Sequence, residues 1–205
     1  MKHEGSISLF QYWNRLRDGR AAPRRTDIEP ADIRANLADT FILEQNSRGE
    51  PVFRLAGTRL CAGFGRELKG EAFTSLWVDK DRRILERLVH GAFRLSHVIV
   101  VSLQAVSRGG RSNPFEMLVL PLDGGQANQR ALGAISPLEK PFWLGADPIV
   151  ACSIETLRIV DPDAEPIYLK NRPAVTVPPL APDADAGSAT RRVRHLVVLE
   201  GGREQ

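Results

Sequence analysis

The order of elements across residues 54–138 constrains the fold of this chain more than any other feature. A β-prone run is followed by a glycine-rich stretch and then by an amphipathic helix at about 80–95. Three further β-prone runs follow, joined by glycine-containing turns at 108–110 and 123–125. Because consecutive strands joined by short turns pair antiparallel, this order predicts a curved antiparallel sheet with a helical wall beside it.

The whole pattern predicts an α+β fold with a five-stranded antiparallel sheet, short flanking helices and an N-terminal amphipathic helix. The strands are expected at 40–44, 52–56, 97–106, 115–122 and 131–136. Residues 153–160 would add a further strand or a short amphipathic piece.

Changes in composition divide the chain into four predicted segments. Residues 1–39 form a helical extension, and residues 40–160 form the domain that contains the sheet. Residues 161–190 are rich in proline and predict a linker, and residues 191–205 return to a strand-like apolar tail.

The totals argue against several classes of protein. The 205 residues are 42% hydrophobic, which is enough for a core, and Lys plus Arg number 28 against 25 Asp plus Glu. The one dense basic cluster, at 191–194, is too short to predict nucleic-acid binding. Two cysteines make no disulfide framework, and no apolar run reaches the roughly 20 residues that span a bilayer. We therefore expect a cytoplasmic protein with no membrane span.

The N-terminal helix carries an apolar stripe with two interpretations. The stripe follows helical spacing and consists of Leu9, Tyr12, Trp13 and Leu16. It would form either a dimer or partner interface, which is the interpretation we adopt, or a face packed on the chain's own sheet.

Five pieces of the chain resemble stand-alone bacterial PAS-domain proteins of the PAS-5 type. They are LFQYW (9–13), PRRTDI (23–28), RLAGTRLC (54–61), GRELKG (65–70) and HLVVLEGGR (195–203). The resemblance implies that residues 40–160 are a PAS-like domain, a sensory or protein-interaction module. Some members hold haem, flavin or a small metabolite, and many hold nothing known.

The resemblance and the lack of a catalytic motif together predict a non-enzymatic regulator in bacterial signalling. Its expected partners are a second copy in a homodimer or other signalling proteins, with a small apolar ligand as a further modulator. No cofactor is expected. The alternative is a haem- or small-metabolite-binding sensor with an occupied pocket.

A pocket between the helices and the sheet is the predicted ligand site, because pockets of this kind are mostly apolar. Its predicted lining is Phe53, Leu60, Phe64, Trp77, Leu85, Val89, Phe93, Val101, Leu103, Leu118 and Leu120. A filled core with no ligand is the other interpretation of the same residues.

Two residues have a conceivable cofactor role. A histidine on the long helix ligates iron in haem-binding PAS domains, and His90 lies there but towards the flank. Cys61 lacks the asparagine and the polar partners that accompany the reactive cysteine of flavin photosensors, so a small buried hydrophobe is the simpler interpretation. No metal site is predicted.

Overall fold

The computed structural model describes residues 1–124, 129–164, 191–193 and 196–198 of the chain. The chain divides into two compact units, Met1–Tyr168 and Leu169–Gln205. The first unit holds the helices α1 (Glu4–Arg17), α2 (Thr58–Phe64) and α3 (Asp79–Leu95), with short 3₁₀ turns between them.

Six strands of the first unit form one antiparallel sheet. They are β1 (Thr40–Gln45), β2 (Pro51–Ala56), β3 (Val98–Ser107), β4 (Ser112–Leu122), β5 (Arg130–Pro137) and β6 (Ile149–Val160). Their order across the sheet is β2-β1-β5-β4-β3-β6. The α+β class and the antiparallel sheet are therefore as predicted.

The predicted count of five strands is one too low, because β6 also belongs to the sheet. It pairs with β3 along almost its whole length, from Val98↔Val160 to Ser107↔Ile149. A register shift opposite Ser102 and Leu103 interrupts the pairing. This bulge changes which residues of β6 face the core, so the strand has no regular alternation for a sequence pattern to detect.

The two faces of the sheet carry separate cores. Along β3, Ile99, Val101 and Leu103 belong to the cluster under α2 and α3, which we call the inner core. Val98 and Val100 belong to the cluster under α1, which we call the outer core. This separation follows from the two-residue period of a strand, which sends successive side chains to opposite faces.

The helix α3 forms the wall of the inner core, as the sequence predicts. Its buried residues Leu85, Val89 and Ala92 are spaced four and three apart, so they lie on one face. Asp81 in its first turn accepts a hydrogen bond from the Ile154 N–H at 2.9 Å, which ties the helix to β6.

The helix α1 covers the opposite face of the sheet. It begins where the Nδ1 atom of His3 accepts a hydrogen bond from the Gly5 N–H at 3.1 Å. It ends before Asp18, which has a left-handed backbone with φ of 46°. Leu9 and Trp13 are fully buried in the outer core.

In the second unit, β7 (Arg191–Val193) and β8 (Leu196–Val198) pair antiparallel as a two-stranded sheet. From residue 165 onward the predicted linker lies outside the described residues, and the division into four segments stays a prediction. Within the described part of the chain, no helix has the length and apolar character needed to cross a membrane. The cytoplasmic location stays a prediction as well.

Candidate functional site

The space between α3 and the sheet, where the sequence places a ligand pocket, is filled by aromatic side chains. Phe41 and Phe53 meet edge to face with their ring centroids 5.6 Å apart. Phe73 lies 5.7 Å from Phe53, and Trp77 lies 5.9 Å from Phe73. All four rings are buried, which supports the filled-core interpretation, and the ligand site stays a prediction.

Most of the predicted ligand-binding residues belong to the inner core. Those buried there are Phe53, Leu60, Phe64, Trp77, Leu85, Val89, Val101 and Leu103. Phe93 is half-buried at its edge.

Leu118 and Leu120 are a correction, because they lie in the outer core on the opposite face. Met117 on β4 pairs with Val101 on β3, and paired residues point to the same face of the sheet. Met117 and Val119 therefore face the inner core instead.

A cleft of about 290 Å³ opens beside α2 at the end of the inner core. Two of the predicted ligand-binding residues, Leu60 and Phe64, form one of its walls. The opposite side includes Phe115, Ile135, Leu144 and Ile149. This cleft leaves room for a small molecule beside these two predicted residues.

Three charged side chains lie at the cleft. Asp39 is almost fully buried and forms a hydrogen-bonded ion pair with Arg59, whose own side chain is largely exposed. Burial raises the pKa of the Asp39 carboxyl, and the charge of Arg59 acts in the opposite direction. Lys140 contributes a further positive charge close enough to act on Asp39.

One wall of the cleft comes from residues 138–148, which we call the wall segment. Asp147 in this segment accepts a 2.7 Å hydrogen bond from the Ser107 hydroxyl and a 3.2 Å hydrogen bond from the Gly109 N–H. Asn113 donates to the Glu139 carbonyl at 3.0 Å. These contacts fasten the wall segment to the β3–β4 hairpin and so fix the width of the cleft.

A more polar groove adjoins the cleft and reaches the start of α1. It has a volume of about 450 Å³, and it shares Asp39, Arg59 and Lys140 with the cleft. His3 and Glu4 line its other side. A molecule held by the shared charges would therefore lie next to the N-terminus of α1.

Polar contacts hold α1 to the sheet at both ends and in the middle. The fully buried carboxylate of Glu116 on β4 accepts the Lys2 N–H at 2.6 Å and the His3 N–H at 3.0 Å. The Trp13 indole donates to the Pro121 carbonyl at 2.7 Å. At the C-terminal end, Arg17 donates to the Pro162 carbonyl at 3.1 Å and pairs with Asp163.

The tertiary structure buries three of the four predicted interface residues and leaves the fourth, Leu16, partly exposed. Leu9, Tyr12 and Trp13 are buried against the chain's own sheet, and Leu16 packs at the edge of the same cluster. The amphipathic pattern is the same for a helix that docks internally and for one that meets a partner, so only the tertiary structure distinguishes them.

The family of the chain is settled by comparison with known families. A family model described as PAS domain, PAS_5, matches residues 1–136. The chain belongs to this PAS domain family. The resemblance to the PAS-5 type is therefore confirmed for residues 1–136, and membership indicates a sensory or regulatory role. No curated protein matches the chain.

Only some of the residues that line the cleft belong to the part of the chain that matches the family model. The matched residues 1–136 include α1, α2, α3 and β1 to β4. The wall segment and β6 lie beyond the matched residues. The cleft is thus lined in part by residues of the matched PAS domain and in part by the wall segment and the start of β6.

The inner core of this PAS domain does not fit a haem. The Nε2 atom of His90 lies 3.9 Å from the Glu86 carboxylate, and its ring lies 6.2 Å from that of Phe93, at the flank of α3. A histidine that ligates haem iron would have to point into the inner core. Leu85, Val89 and the aromatic cluster occupy that space. Among the described residues, no group of three or more His, Cys, Asp or Glu side chains could hold a metal ion.

The two cysteines of the PAS domain differ in environment. Cys152 on β6 is fully buried, and burial raises the pKa of its thiol to about 12. Cys61 on α2 is half-buried, with its Sγ atom 3.6 Å from the Glu67 carboxylate. The interpretation of Cys61 as a small buried hydrophobe is therefore met only in part, because the residue packs against the inner core but is half-buried.

The polar residues of the site were missed by sequence reasoning. Asp39, Arg59 and Lys140 come from three separate parts of the chain, and Glu116 stands within an apolar strand. Glu116 alone carried a signal, because a lone acidic residue in a run typical of a buried strand needs a partner.

Proposed function

We propose that this PAS domain is a non-enzymatic regulator that acts through protein–protein interaction, with α1 as the element that changes position. A second copy of the chain is the first partner to test. The proposal includes the expected setting of bacterial signalling in the cytoplasm.

The observation that supports the proposal is the way in which α1 is held. Its apolar stripe is buried, and its polar anchors belong to other parts of the fold: Glu116 on β4, Pro121 on β4, and Pro162 with Asp163 after β6. Arg17 is itself buried and also donates to Asn14 and to the Arg20 carbonyl. It therefore joins α1 to the segment by which the chain leaves β6.

The energetics favour a helix that can exchange one apolar surface for another. Each large apolar side chain that is fully buried stabilises the docked helix by about 1.5–3 kcal/mol, so α1 does not leave the sheet for water. A partner that covers the same stripe restores most of this free energy. The smaller polar contacts at the two ends then decide which arrangement is more populated.

Replacement of Arg17 tests this proposal. Arg17→Met keeps an unbranched apolar side chain but removes the guanidinium group, which lies over the Trp13 ring and donates hydrogen bonds to Pro162 and Asp163. We expect the amide hydrogens of α1 to exchange about tenfold faster, because a hydrogen bond to a charged group stabilises by about 1.5–3 kcal/mol. We also expect the variant to self-associate more strongly than the wild type in sedimentation-velocity experiments.

Arg34→Met is the matched control, because Arg34 is an exposed arginine outside α1. It should leave both hydrogen exchange and sedimentation unchanged. If Arg17→Met loosens α1 while the protein remains monomeric at every concentration, α1 is a structural cover and the proposal fails.

A small-metabolite sensor is the second candidate function, and the cleft beside α2 favours it. The cleft lies next to the predicted site, contains Leu60 and Phe64, and adjoins the groove at the start of α1. A bound molecule would then bias the position of α1 through that groove. The haem version of this alternative is not retained, because Leu85, Val89 and the aromatic cluster occupy the space beside α3.

A further inference from the structure

We propose that the cleft beside α2 binds a small carboxylic acid with an apolar body, with the carboxylate held between Arg59 and Lys140. This inference names a ligand class for the second candidate function. Its regulatory role rests on that function, whereas the binding of the ligand does not. The proposed site is distinct from the filled space between α3 and the sheet.

The lining of the cleft selects an apolar body. Leu60, Phe64, Phe115, Ile135 and Ile149 are nearly fully buried, yet each also borders the cleft. The volume of about 290 Å³ is at the lower end of the range for ligand pockets, about 300–1,000 Å³. The size and the lining therefore suit a compact apolar group and exclude a large cofactor.

The charges at the cleft select an anion. Asp39 is the one carboxylate among the lining residues described, and its charge is already matched by Arg59. Lys140 is exposed and adds a positive charge at the same place. Asp39, Arg59 and Lys140 together carry one more positive than negative charge, which attracts a carboxylate and repels an ammonium group.

A glycine on α2 leaves part of this room. A Cβ atom built on Gly63 would meet only the Ile149 Cδ1 atom, at 3.9 Å, which is an ordinary contact. Gly63 is buried and lines the cleft, so a larger side chain at this position would extend into the ligand's space. A larger side chain at position 63 of α2 would therefore block the cleft.

Binding should also affect α1, because the cleft and the polar groove share their charged residues. Arg59 and Lys140 line both, and His3 and Glu4 border the groove at the first turn of α1. A carboxylate between the two cations changes the charge that the start of α1 faces. Bound ligand should therefore change the rate at which the first turn of α1 exchanges its amide hydrogens.

Calorimetric titration with octanoate tests the proposed ligand class. Octanoate has an apolar chain and one carboxylate, 1-octanol is its neutral counterpart, and citrate is an anion without an apolar body. We expect saturable binding of octanoate to the full chain, at least tenfold weaker binding of 1-octanol, and no binding of citrate. Equal binding of octanoate and 1-octanol, or no binding of octanoate, would overturn the proposal.

Two variants locate the site. Lys140→Gln should weaken octanoate binding about tenfold, which is the usual effect of losing one charge-assisted hydrogen bond. Gly63→Leu should abolish it by filling the cleft. Arg54→Gln is the control, since Arg54 pairs with Glu44 on the sheet and does not line the cleft. Unchanged binding in both Lys140→Gln and Gly63→Leu would place octanoate elsewhere and refute the inference.

Hydrogen exchange of α1 separates this inference from the function on which it rests. If octanoate binds in the cleft and the exchange of α1 changes, the site and its regulatory meaning both stand. If octanoate binds there without any change in α1, the ligand site stands and metabolite control of α1 is refuted.

Discussion

At the scale of single residues, the fold depends on close approaches that admit no side chain. Gly133 lies in the middle of β5, opposite Phe41 on β1 and Val119 on β4. A Cβ atom at this position would lie 2.2 Å from the Phe41 Cζ atom and 2.7 Å from the Leu118 carbonyl oxygen. A glycine inside a strand is typical of such a site, and here it provides the space for a ring of the aromatic cluster.

Gly133→Ala should therefore destabilise the protein strongly. We expect a loss of about 3 kcal/mol in the free energy of unfolding, because the Phe41 ring is fully buried and packed against Phe53 and Phe73. Denaturant titration followed by circular dichroism measures this loss.

Gly63→Ala is the matched control for Gly133→Ala. Its added Cβ meets an ordinary contact, and alanine favours a helix over glycine by about 1 kcal/mol. This variant should be as stable as the wild type or slightly more stable. A similar loss in both variants would contradict the assignment of the strain to Phe41.

At the scale of elements, one carboxylate makes several of the contacts that hold the wall segment to the β3–β4 hairpin. Asp147 receives hydrogen bonds from Ser107 and Gly109 at the end of β3 and lies near Arg111. The hydrogen bond from the Ser107 hydroxyl is the main cause that lowers the pKa of Asp147, with the Gly109 N–H and Arg111 acting in the same direction. A lowered pKa in the folded state means that the ionised form stabilises the fold.

Asp147→Asn should remove this pH-dependent stabilisation. The stabilisation is present above the unfolded pKa of about 3.9 and is lost as the pH falls through the lower folded pKa. The variant should therefore have a lower Tm than the wild type at neutral pH, and the two should converge in acid. Thermal unfolding over a series of pH values measures this.

Ser107→Ala provides the companion measurement. It removes the main donor to Asp147 but keeps the carboxylate, so the pKa of Asp147 should rise towards its ordinary value. The acid-dependent part of the stability should then shrink without vanishing. A constant Tm difference between wild type and Asp147→Asn at all pH values would disprove the role of the ionised carboxylate.

At the scale of the whole molecule, one sheet separates two cores, and β6 closes the inner one. Cys152 on β6 pairs with Ala105 on β3 and forms an isolated bridge with Trp77. Asp81 at the start of α3 accepts a hydrogen bond from the same strand. The helical wall and the edge of the sheet should therefore open together.

The two cysteines should report this opening. In native protein we expect iodoacetamide to modify Cys61 and to leave Cys152 unmodified, because burial raises the pKa of the Cys152 thiol to about 12 and the thiolate is the reactive form. Denaturant should make both thiols reactive. Mass spectrometry of Cys61→Ser isolates the Cys152 signal, and rapid labelling of that variant without denaturant would show that β6 opens independently of global unfolding.

The sequence by itself determined the class of elements, the antiparallel sheet and the family. These are local properties: the helical spacing of Leu85, Val89 and Ala92 and the apolar runs of β3 and β4 exist in any conformation of the chain. Family membership likewise depends on the order of residues along the chain and not on their contacts in the fold.

Only the tertiary structure decided which surfaces are covered and where room remains. The stripe of Leu9 and Trp13 is equally apolar on a sheet or on a partner, and the register of β4, not its composition, sends Leu118 to the outer core. The cleft joins Asp39, Arg59 and Lys140, which are distant in the chain and become neighbours only when α2 and the wall segment meet. Pattern in a sequence reports what each segment prefers, whereas a site depends on which segments the packing brings together.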